Sequence, residues 1–129
     1  VRDSVRGGVA SLVLLGFLVG CQAAPDSPLL TARPAQTQMA AALSGTVSRA
    51  DNGCYLLNGM PLVWPNGTTL VGDKVRLADG REFMVGSTVS GGGGFMKASD
   101  VAVVLDQASA SKAGTCLGSG EVAVLQVIP

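Results

Sequence analysis

The 129-residue chain contains no histidine. That removes the side chain most often used as a general base near neutral pH. Aromatic residues are scarce: one tryptophan, one tyrosine and three phenylalanines. So few rings give no extended stacking face for single-stranded nucleic acid. Charge is sparse and balanced, with nine basic and nine acidic side chains. No basic cluster is present of the kind that tracks a phosphate backbone or an anionic membrane. The three cysteines, Cys21, Cys54 and Cys116, form no C-x-x-C pair, which argues against thioredoxin-like redox work. Two distant thiols without histidine do not build a zinc site.

Nucleotide and nucleophile motifs are missing too. Gly91 to Gly94 is not followed by Gly-Lys-Ser/Thr, and Phe95 and Met96 break the spacing of a dinucleotide fingerprint. By propensity the glycine run is not an ordered strand core. It permits a tight bend or a close backbone approach, and its amides could cradle an anion. Ser119 in "LGSGE" lacks the first glycine of G-x-S-x-G. Asp51, Asp73, Asp79, Glu82, Asp100, Asp106 and Glu121 mostly adjoin turns or solvent-facing strand positions. Two acids from distant strands can meet in space, as in a glycosidase, but nothing in their spacing favours it. The sequence therefore assigns no catalytic residue, cofactor or metal ligand.

What the sequence does hold begins at its first residues. "VRDSVRGG" carries Arg2 and Arg6 against Asp3, "VASLVLLGFLV" runs uncharged from Val9 to Val19, and Gly20 and Cys21 follow. A basic start, a short apolar core and small residues are the order of an export signal. Eleven residues are too few for a settled membrane span, which needs about twenty. Leu18, Val19, Gly20 and Cys21 resemble the lipobox of bacterial lipoproteins. The resemblance implies that the Cys21 thiol takes a diacylglyceryl group and that a signal peptidase cuts after Gly20. It implies a palmitate-type anchor on the extracytoplasmic side of the cell membrane. Losing residues 1–20 would leave 109 residues carrying seven basic and eight acidic side chains. The hold on the membrane would then come from lipid: two or three acyl chains anchor firmly, one only weakly.

With Cys21 set aside, Cys54 and Cys116 remain. In an oxidising compartment they are expected to pair as a disulfide. Such a staple suits a domain near the lower limit of core size.

The organisation expected is a signal at 1–20, a lipidated start and flexible tether at 21–43, and a small folded domain at 44–129. Pro25, Pro28 and Pro34 interrupt any helix in the tether. The domain reads as about seven short strands: "SGTVSR", "CYLL", "MPLVW", "DKVRL", "REFMV", "VAVVL" and "EVAVLQVI". They are separated by turn dipeptides, Asn52-Gly53, Asn58-Gly59, Asn66-Gly67 and Asp79-Gly80. "VAVVL" also admits a short helix capped by Ser99 or Asp100, but its β-branched residues favour a strand. Ser111 to Gly120 reads as a loop. The fold class expected is all-β, a small closed or half-closed barrel. An OB-like barrel and a small sandwich both satisfy the pattern.

A second resemblance covers most of 44–129. Gly53-Cys54, Trp64-Pro65-Asn66-Gly67-Thr68, Asp79-Gly80 with Val85-Gly86, and Gly91 to Gly94 are similar to features of small actinobacterial-type secreted lipoproteins. Those carry an uncharacterised all-β domain, so the resemblance implies no activity. Trp64 is the one large aromatic platform. It reads either as core or, with Tyr55, as a shallow ligand face for a sugar or peptide. The expected function is a non-enzymatic binding or structural module of the cell envelope, with a protein or glycan partner and no nucleic acid. The competing reading is a small cell-wall hydrolase or hydrolase inhibitor.

Overall fold

The structure is a computed structural model that describes residues 28–34 and 38–129. Nine strands form among the described residues: β1 Leu30–Thr31, β2 Ala41–Arg49, β3 Tyr55–Leu57, β4 Met60–Trp64, β5 Thr69–Val71, β6 Lys74–Arg76, β7 Glu82–Phe83, β8 Thr88–Lys97 and β9 Glu121–Val127. A 3₁₀ segment, Ala98–Val104, and helix α1, Gln107–Cys116, lie between β8 and β9. Five strands, β2, β3, β4, β9 and β8, close into a barrel because β4 also pairs with β9. That pairing is parallel, Leu62 to Ala123 and Val63 to Val124, while the other four barrel pairings are antiparallel. The strand order is that of an OB-like barrel. Strands β5, β6 and β7 form a separate three-stranded meander in the connection from β4 to β8. No helix among the described residues is long and apolar enough to cross a membrane.

Alternation along the strands places the core. On β4, Leu62 and Trp64 join the barrel interior, whereas Val63 joins a second cluster outside it. On β9, Ala123 and Leu125 face inward, and Val122 and Val124 face outward. The outer cluster is completed by Leu30, Val101, Leu105 and Ala113, so the helical layer covers one side of the barrel. Burial of β9 on both faces explains its nearly continuous apolar sequence. The meander contributes Val75 and Leu77 to the interior cluster.

The turns form where the sequence places them. Asn58 and Gly59 both have positive φ, 51° and 81°, the pair required by a two-residue hairpin between twisted strands. The Asn58 side chain also bridges β2. Its Oδ1 accepts from Thr46 N at 3.0 Å, and its Nδ2 donates to Ser44 O at 3.0 Å.

Three expectations are corrected. First, the folded part does not start at Ser44. Leu29, Leu30, Thr31 and Ala32 are buried, and β2 begins at Ala41. The reason lies in β4. After its Leu56–Pro61 pair, β3 leaves the edge of β4, and β1 pairs there in parallel with Val63 and Trp64. Ala32 N then donates to Trp64 O at 2.9 Å. Buried backbone groups need such partners, and the Pro-flanked Leu-Leu-Thr-Ala segment supplies them. Cys21 and residues 1–27 lie outside the described residues.

Second, the glycine run is strand. Gly91 to Gly94 all lie within β8, paired with β2 on one side and β9 on the other. A Cβ at Gly91 would run into Val127 O, one at Gly93 into Val124 O, and one at Gly94 would meet Met39 Cε at 2.8 Å. Close backbone approach, not turning, is what these glycines permit.

Third, Ser99 to Gly120 is helical over much of its length. The 3₁₀ segment buries Val101, and Asp106 caps α1. Packing on the outer face of the barrel overrides the β-branched propensity of "VAVVL".

Candidate functional site

A shallow groove among the described residues faces both the helical layer and the meander. It is lined by Leu29, Thr31, Thr68, Thr69, Leu70, Ala108, Ser109 and Lys112, with a volume of about 230 Å³. Its floor is built where β1 is stitched to α1. Asp106 N donates to Thr31 O at 2.9 Å, and Thr31 N donates to Ser109 Oγ at 2.8 Å. Asp106 Oδ1 accepts from Ser109 N at 2.8 Å, which starts the helix. Asp106 Oδ2 accepts from Thr31 Oγ1.

This arrangement sets the Asp106 charge. Burial works to raise its carboxyl, but hydrogen bonds from Thr31 and Ser109 and the charge of Lys112 hold it below the ordinary aspartate value. A carboxyl depressed in the folded state stabilises the fold above its unfolded value. That stabilisation is lost as pH falls through the unfolded and then the folded value. Replacing Asp106 by Ala is expected to cost about 1–2 kcal/mol at neutral pH, as for other helix caps. The gap between variant and parent should begin to narrow as pH falls through the unfolded aspartate value of about 3.9, and go on narrowing until the folded carboxyl, held lower, protonates. Urea midpoints measured across pH check this. A gap that stays constant as pH falls below the unfolded aspartate value would show that the carboxylate charge is not what holds the cap.

The groove is small for enclosing a sizeable ligand. Pockets that enclose small molecules commonly span about 300–1,000 Å³. No carboxylate lines it. Ser109 and Lys112 stand three residues apart on α1, a spacing that can pair a nucleophile with a base. Ser109, however, is 1% exposed, and its hydroxyl accepts from Thr31 N. It is a structural hydroxyl.

The other acidic residues are dispersed. Glu82 accepts from Arg76 at 2.7 Å and lies 3.8 Å from Lys74. The Arg76 hydrogen bond is the main reason its carboxyl is held below the ordinary glutamate value. Asp79 accepts from the Arg81 amide at 3.0 Å and from Arg81 Nε at 2.9 Å, and the amide bond leads in lowering its carboxyl. Asp51, Asp73, Asp100 and Glu121 are exposed. Among the described residues no three acids or cysteines gather as a metal-binding group.

Trp64 and Tyr55, offered by the sequence as a candidate ligand face, are core. They are 0% and 2% exposed and meet edge to face with ring centroids 6.3 Å apart. Phe83 of the meander stacks at a tilt on Trp64, centroids 6.1 Å apart. Trp64 Nε1 and Tyr55 Oη find no hydrogen-bond partner among the described residues, so the two rings pack as hydrophobes. Arg49 lays its guanidinium 5.1 Å from the Tyr55 ring centre. Neither ring offers a face to a sugar or a peptide.

Cys54 and Cys116 form a disulfide, Cα to Cα 5.5 Å. It ties the β2–β3 turn to the end of α1, and Asn52 Nδ2 adds a hydrogen bond to Thr115 O at 2.9 Å. In OB-type barrels the loops after the first and fourth strands border the usual ligand face. Here one covalent bond joins those two connections, and Pro28 covers the junction, with its carbonyl oxygen 3.6 Å from Cys116 Sγ. The exposed row Val71, Met84 and Val85 was not singled out by the sequence. The signal was present in "LVGD" and "FMVG", where apolar residues run directly into a turn.

Comparison with known proteins adds no family: no family model, curated protein or solved structure matches this chain.

Proposed function

We propose that this chain is an extracytoplasmic lipoprotein, held at the cell membrane by lipid on Cys21, whose barrel is a non-enzymatic binding or structural module of the cell envelope. The lipobox-like order of residues 1–21 supports the anchor. The internal disulfide suits an oxidising compartment. The non-enzymatic half rests mainly on one observation: among the described residues Asp79 and Glu82 are engaged by arginines, Asp106 caps a helix, and the remaining acids are exposed and dispersed. A cell-wall hydrolase of the common glycosidase type needs two carboxylates within about 5–10 Å across a substrate cleft. The groove beside α1 holds none.

Purified protein incubated with peptidoglycan should release no new reducing ends or amines above a buffer control. Sustained release, abolished by replacing a single acidic residue, would overturn the non-enzymatic reading in favour of the hydrolase.

A further inference from the structure

We propose that the apolar end of the β5–β7 meander is a lipid-docking face, through which the barrel lies on the membrane surface. The proposal rests on the Cys21 anchor and adds to it an orientation.

Six large apolar side chains are exposed among the described residues: Val71, Met84, Val85, Phe95, Val103 and Val127. Single exposed hydrophobes are ordinary, but three of these share one end of the meander. Val71 pairs with Lys74 across the β5–β6 hairpin. One register step beyond the Val75–Phe83 pair, Met84 comes opposite Lys74, and Val85 follows it. The result is a row of Val71, Lys74 and Met84 ending in Val85. The Lys74 ammonium is half exposed and only loosely paired, 3.8 Å from Glu82 Oε1. Apolar side chains around such a cation suit the headgroup region, where the first reach the acyl boundary and the second can meet phosphate.

The display is held by the backbone. Ser87 N donates to Met84 O at 2.9 Å, and Gly86 N donates to Val47 O at 2.8 Å. Met84 N donates to Ser87 Oγ at 3.0 Å. The turn carrying Met84 and Val85 is thus fastened to β2 while its side chains face outward.

The leash to the proposed anchor is short. Six residues separate Cys21 from Pro28, which spans at most about 25 Å at full stretch. Where the chain joins the fold, Leu29 lines a groove with Leu70, which precedes Val71 in β5 and turns its side chain to the opposite face. A barrel leashed this closely keeps that row within reach of the bilayer.

The test uses full-length lipidated protein in vesicles of phosphatidylethanolamine and phosphatidylglycerol, with or without brominated acyl chains. Val85→Trp and Val71→Trp place an indole in the row, and Val103→Trp places one on the 3₁₀ segment outside it. Brominated lipid should remove roughly half of the emission added at positions 85 and 71 and leave that at 103 unchanged. Vesicle-bound protein with equal or no quenching at all three positions would overturn the docking face and leave the anchor standing. Protein that fails to co-sediment with vesicles, with no quenching, would overturn the anchor and this face together.

Discussion

Replacing Cys54 and Cys116 together with alanine is expected to lower the stability of the domain by roughly 4 kcal/mol, with the fold retained in the cold and lost on modest warming. The bond closes a loop of 62 residues in sequence separation, and cross-linking so long a loop removes much of the freedom of the unfolded chain. The native side of the equilibrium loses too. Cys54 is buried, and the bridge fastens α1 over the outer cluster. For a domain of this size each kcal/mol moves the midpoint by about 4–8 °C, so a fall of roughly 15 °C or more is expected. Adding a reductant to the parent protein should reproduce most of it. A shift of only a few degrees would mean that the β2–β3 turn and α1 are held by their hydrogen bonds alone. The same result has a bearing on location: a barrel that depends on this bond is suited to a compartment where disulfides persist.

Gly93→Val is expected to be more severe, costing at least about 3 kcal/mol through overpacking and broken strand pairing. Typical domains hold only about 5–15 kcal/mol in total, so the variant should be marginal or unfolded. A side chain at Gly93 meets the Val124 carbonyl oxygen and, at 2.9 Å, Leu43 Cδ1. The carbonyl cannot retreat without opening the β8–β9 ladder. The informative control is one residue away. At Gly92 the nearest atom to an added Cβ is Ala41 O at 4.0 Å, so Gly92→Ala should stay within about 0.5 kcal/mol of the parent. Urea unfolding of both variants decides it. Equal effects at the two positions would show that the glycines matter for chain flexibility and not for close approach.

These glycines also show where the sequence could be read and where it could not. Strands β2, β3, β4, β6 and β9 were legible because alternation or apolar runs ended at Asn-Gly and Asp-Gly turns, signals confined to a few neighbouring residues. The disulfide followed from the count of cysteines once Cys21 was set apart. The strand character of Gly91 to Gly94 was hidden, since it depends on a carbonyl of β9 thirty residues away. Helix α1 was hidden for a related reason. "QASASKAGTC" has almost no apolar periodicity, and its buried positions are the small Ser109 and Ala113. Its cap, Asp106, is an ordinary turn residue until Thr31 is placed beside it. β1 was lost among prolines because its pairing exists only where β3 leaves β4. For the candidate site, composition alone could not say whether Trp64 and Tyr55 were core or surface. The barrel interior needs both to fill it.

We propose that the domain works outside the cytoplasm on a lipid attached at Cys21. This is tested most directly by growing cells that express the full chain with a palmitate analogue carrying a chemical handle. The parent protein should take up the label in the membrane fraction, and Cys21→Ala should remove it completely while Cys54 and Cys116 remain paired. Labelling that survives Cys21→Ala, or a parent that is never labelled, would contradict the account.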